Sequence, residues 1–183
     1  MHQGRDSGPF FMRDKYRRAM ELLYLACIVI SGAAMVAITI MIPVGVFFRY
    51  VLNAALSWPE PASTVMMVAF SFLGGAAVFR AKVHVAVEAL LNAVSSKIRK
   101  VMLWGVDACM ALIALFMLGY GWHLCVVTWP NTIAEFPWLS VGIAYLPIPI
   151  AGLLTLLFLI ERVWLGDPPK TDVMYSDAPV ESE

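Results

Sequence analysis

Four long blocks of the chain are almost wholly apolar, at residues 22–48, 62–79, 101–127 and 136–160, and polar stretches separate them. Within the blocks the apolar residues run continuously, without the strict alternation that marks a half-buried strand. A hydrocarbon core about 30 Å thick takes about 20 helical residues to cross, and the four blocks are of that order. Backbone groups in lipid must find partners inside their own segment, so the spanning element is the helix. The pattern predicts an all-α integral membrane protein with four transmembrane helices.

The polar stretches carry patterns of their own. Between the second and third blocks, Val83, Val87, Leu90, Leu91, Val94 and Ile98 recur at helical spacing, with His84, Glu88, Asn92, Ser95 and Arg99 opposite them. That period predicts an amphipathic helix over 83–98, too polar to span and suited to a membrane surface or a partner. The expected organisation is a basic N-terminal segment over 1–20, a four-helix membrane domain over 21–162 and a disordered tail over 163–183. The tail is polar, acidic and rich in proline, with too little apolar surface to pack. Arg13, Lys15, Arg17 and Arg18 precede the first block in the manner of a signal peptide. At about 27 residues that block is far longer than a cleavable apolar core of 7–15, so it reads as a retained anchor.

Composition strengthens the membrane assignment, and charge orients it. The chain has 183 residues, 61% hydrophobic and 14% charged, with a mean hydropathy of +0.77 and no net charge. A soluble domain carries about a quarter charged residues, and a neutral chain offers nothing to nucleic acid. Of the 13 Lys and Arg, Arg49 alone falls between the first and second blocks, on one side of the expected topology. All the others fall in the two tails or between the second and third blocks. The positive-inside rule then puts both termini and the 83–98 helix in the cytoplasm, with Arg49 outside. Aromatic belts match this frame, with Tyr50, Trp58, Trp122, Trp129 and Trp138 at one interface and Tyr16, Tyr24, Trp104 and Trp164 at the other.

Candidate chemistry is sparse. Ionisable residues inside spans mark ion or substrate paths, and the central portions of all four blocks hold none. Asp107 lies near the cytoplasmic end of the third, where headgroups, water or a basic residue such as Lys100 would meet it. His84 and His123 fall about a membrane thickness apart, too far to ligate one haem or metal ion. Cys27, Cys109 and Cys125 are isolated within apolar runs and fit small buried apolar residues. No catalytic, cofactor or metal site is expected. Gly74 and Gly75, with Gly32, Gly119 and Gly121, suit close helix packing. The polar solute-handling groups of a transporter or enzyme are missing, so the chain reads as an accessory or scaffold subunit. A membrane redox or quinone-interacting protein and a standalone four-helix transporter are the alternatives.

The stretch NAALSWPEPAS, 53–63, is the most structured of the connections. Ser57 and Glu60 match a capping box and Pro59 suits a first turn, so the second helix is expected to start there. Arg49 ends the first helix and Glu60 begins the second. A tight hairpin would let them pair, and an arginine reaching to lipid phosphate is the competing arrangement.

Three stretches, FFRYVLNAALSW, FSFLGGAAVFRAKVHVAVEALL and FPWLSVGIAYLPIPIAGLL, together resemble the small integral-membrane subunit of TRAP (tripartite ATP-independent periplasmic) transporters. The resemblance covers about residues 20–162. It is carried by Arg49, Tyr50 and Trp58, by Leu73, Gly74 and Gly75, by His84, and by Pro137, Tyr145 and Pro147. One departure is that Glu60 is followed by Pro61, where the family often has a second acidic residue. The resemblance implies a large membrane partner that holds Na⁺ and substrate. It also implies a periplasmic binding protein that delivers an organic acid, and an inner-membrane location. Arg49, Tyr50, Trp58, Glu60, Gly74, Gly75, His84 and Pro147 become the candidate docking or structural residues.

Overall fold

The computed structural model describes residues 9–81 and 96–165. Most of the expected amphipathic helix, His84 included, lies outside the described residues, as does the tail from 166. Four helices are long and apolar enough to cross a membrane. They form two helical hairpins, the first of α1 (Pro9–Tyr50) and α2 (Pro59–Ala81). The second is formed by α3 (Ser96–Thr128) with the α4 (Val141–Tyr145) and α5 (Pro147–Leu165) pair. At 1.5 Å per residue, α1 is about 63 Å long, roughly twice the hydrocarbon thickness. Its first turns carry Arg13, Lys15, Arg17 and Arg18 on a helix.

Local chemistry accounts for the ends. Asn53 adopts a positive φ of 50°, and the Ala54 N–H turns back 3.0 Å to the Phe48 carbonyl, closing α1. A left-handed position there suits Asn, whose short polar side chain tolerates it. In α2 the first intrahelical bond runs from the Ala62 N–H to the Trp58 carbonyl at 3.1 Å. Trp58 is thus the capping position, one residue later than the expected capping box, which needs Ser57 there and Glu60 in the third helical position. Pro59 and Pro61 both fall in the first turn, where N–H groups have no intrahelical acceptor to lose.

The fourth block does not begin as a helix. Thr132–Ile133 (β1) and Phe136–Ser140 (β2) form a short antiparallel hairpin, so the 136–140 part of the expected span is strand. Ser140 ends it by capping α4, its hydroxyl accepting the Gly142 N–H at 3.1 Å and donating to the Trp129 carbonyl at 2.7 Å. At Pro147 the helix is interrupted, because proline cannot donate to the Ile143 carbonyl. The Leu146 N–H takes that acceptor at 3.2 Å, and Ile150 bonds back to Leu146, so α4 and α5 act as one span over Val141–Trp164.

The helices pack in the order α1, α2, α5, α3, with α1 also touching α5. One buried cluster joins three of them: Met20, Tyr24 and Cys27 from α1, Leu73, Ala76 and Ala77 from α2, and Ala151, Leu154 and Phe158 from α5. α3 is held by the α4–α5 pair through backbone-to-backbone approach. A Cβ on Gly152 would come within 2.9 Å of the Ala114 carbonyl oxygen, and one on Gly142 within 2.6 Å of the Cys125 carbonyl oxygen. Only 6% of the most apolar window of α3 is buried within the chain. Leu112, Ile113, Leu115, Phe116 and Val126 face outward, a surface matched to lipid tails as solvent.

Candidate functional site

Charged side chains gather at the two ends of the helix layer. At one end, Arg49 Nη1 lies 3.4 Å from Glu60 Oε1, bridging the α1–α2 turn. Both side chains are more than half exposed, at 52% and 79%. An exposed pair of this kind contributes about 0–1 kcal/mol. Each charge also complements its helix dipole, Arg49 in the last turn of α1 and Glu60 in the first of α2. Tyr50 and Trp58 are exposed beside them. The β-hairpin rises at the same end with Trp129 and Trp138 exposed, and Trp138 meets Phe136 edge-on at 5.9 Å. Trp122, Cys125, Val126, Trp129, Pro130 and Leu146 line an apolar groove of about 430 Å³ below it.

The opposite end holds what the apolar pattern does not disclose. Arg80, one residue from the end of α2, meets Glu161 of α5 as a fork, Nε to Oε2 at 2.8 Å and Nη2 to Oε1 at 2.9 Å. The side chains are 5% and 1% exposed. Tyr24 and Phe158 place their rings 5.1 and 5.4 Å from the guanidinium carbon, so the cation lies against two aromatic faces. The Tyr16 hydroxyl donates to the Leu157 carbonyl at 3.2 Å nearby. The next residue, Arg162, reaches the other way to Asp107 of α3 at 2.8 Å. Lys100, the expected neighbour of Asp107, is exposed instead. The Arg162–Asp107 contact is an ion pair between α5 and α3. By sequence Arg80 counts among the cations between the second and third blocks, and Glu161 lies just past the end of the fourth block. The available signal was that each is the sole residue of its charge sign near the end of an apolar helix.

The remaining sequence candidates separate. Gly74 packs on Ser31, whose hydroxyl is buried without a hydrogen-bond partner, whereas Gly75, Gly32 and Gly119 face open space. Gly121 does pack tightly, on Ile148 and Pro149, and Gly142 and Gly152 make the close contacts that the sequence reading omitted. Pro147 is half-buried at the α4–α5 junction. His123 is exposed on α3. Among the described residues no group of His, Cys, Asp and Glu side chains is placed to hold a metal ion.

These features define a multi-pass α-helical membrane protein whose ionisable groups are confined to the ends of its spans. Residues 38–167 match the family model for the DctQ component of tripartite ATP-independent periplasmic transporters, and the chain belongs to that family. It is also similar to a Haemophilus influenzae protein named as a TRAP transporter small permease, with 26% identity over 146 residues. That alignment covers 80% of this chain and 86% of the relative. The family is one of transporter components and is not an enzyme family.

Proposed function

We propose that the chain is the small scaffold subunit of a Na⁺-coupled TRAP-type secondary transporter that imports an organic acid. In this reading a large membrane subunit holds Na⁺ and solute, and a periplasmic binding protein delivers the solute. The complex sits in a bacterial inner membrane with both termini of this chain cytoplasmic. The observation that carries the reading is the bareness of the spans. In a family of transporter components, this member holds its charged side chains, among the described residues, towards the helix ends, so the translocated ion and solute need a site on another chain. Arg49, Tyr50, Trp58 and Glu60 would form, with the β-hairpin, the face turned to the solute-delivering binding protein. The segment around His84 would grip the large subunit or the inner leaflet.

Reconstitution tests this directly. Proteoliposomes holding the chain with its large partner and binding protein should take up a radiolabelled organic acid under a Na⁺ gradient. Vesicles holding the chain alone should show background uptake. Gradient-dependent uptake by the chain alone would overturn the scaffold reading.

A further inference from the structure

We infer that Arg80 and Glu161 are positioning residues: their buried pair selects the helical register in which the α1–α2 hairpin docks on the α3–α5 hairpin. Through that register it sets the relative height of the two loops at the far end of the molecule. This goes beyond the transporter reading and does not depend on it.

The seam between the hairpins is built largely from α2 and α5, and its buried apolar residues include Ala76, Ala77, Leu73, Ala151 and Leu154. Lipid tails are as apolar as these side chains, so burying them adds no hydrophobic drive to helix association. Ala76, Ala77 and Ala151 project little from this face, so they distinguish poorly between one docking and another displaced by a turn, about 5.4 Å. The Tyr16 hydroxyl crosses the seam to a backbone carbonyl, at Leu157. Carbonyls recur along every turn of a helix and therefore mark no unique position.

Arg80 and Glu161 do mark one. Arg80 is the sole basic residue of α2, and Glu161 the sole acidic residue of α5. Slipping by a turn in either direction would part the two charges, at a cost that the observed docking avoids. Arg162 and Asp107 apply the same logic within the second hairpin, since Asp107 is the sole acidic residue of α3. Adjacent residues of α5 thus fasten it to α2 on one side and α3 on the other. At the far end, residues 51–58 belong to the first hairpin and 129–140 to the second, so any slip at the seam displaces one against the other.

Removing both charges separates register from stability, because a buried ion pair can often be replaced by apolar residues without loss of fold. The experiment is double electron–electron resonance on the full chain in lipid nanodiscs. Nitroxides are placed at the exposed positions Ala55 and Asn131, with Cys27, Cys109 and Cys125 changed to Ala. The labelled parent should give one narrow distance. Arg80→Met with Glu161→Leu, and separately Arg80→Leu with Glu161→Met, should stay folded by circular dichroism yet give a broadened or second distance, displaced by up to about one turn. A single unshifted distance in either folded variant would overturn the inference. Failure of both variants to fold would also overturn it, because the pair would then be a stability element.

Discussion

Arg49 and Arg80 are the same side chain at the ends of neighbouring helices, yet burial gives them different energetics. Arg49 and Glu60 remain hydrated, and changing either to Ala should cost under about 1 kcal/mol. Arg80→Ala strands the Glu161 carboxylate at 1% exposure, and loss of one partner of a buried pair costs about 3–5 kcal/mol. Equilibrium unfolding in mixed micelles should separate the two changes clearly, and equal effects would contradict this account. Exchanging the charges, Arg80→Glu with Glu161→Arg, should not restore stability. The rings of Tyr24 and Phe158 present electron-rich faces to position 80, which favour a cation and disfavour a carboxylate.

Element by element, the helices were legible from apolar run length, and their contacts were not. Gly142 and Gly152 illustrate why. Both sit in apolar surroundings that resemble those of Gly75 and Gly119, and nothing local distinguishes them. Only the approach of α3 makes a Cβ intolerable at Gly152 and leaves it harmless at Gly75. Gly152→Ala should therefore lower the melting temperature in detergent by several degrees, while Gly75→Ala leaves it unchanged or raises it slightly through helix propensity. The strand at 136–140 was lost to the run-length reading for a related reason. FPWLS is apolar enough to extend a span, and its departure from the helix depends on pairing with Thr132 and Ile133 and on the Ser140 cap.

For the whole molecule, charge distribution leads to a stated orientation. A cysteine at Asn53 should react with a membrane-impermeant maleimide in intact spheroplasts. One at Ser176 should react only after permeabilisation, with the native cysteines replaced in both cases. The reverse labelling pattern would refute the cytoplasmic assignment of the termini. The layered order α1, α2, α5, α3 leaves α3 covered on one flank only, and that openness fits a subunit that widens the membrane footprint of a larger one.

Hydrophobic run length and the placement of Lys and Arg determined by themselves that four helices cross a bilayer and which residues can approach the Arg49–Glu60 turn. Both properties are local, set by transfer of each segment into lipid and by short loops. Which glycines touch a neighbour, and that Arg80 is matched with Glu161 across 81 residues, only the tertiary structure decided. In a membrane, apolar faces are nearly interchangeable, so partner choice falls to close backbone contact and to the few buried charges, and neither can be read from one segment alone.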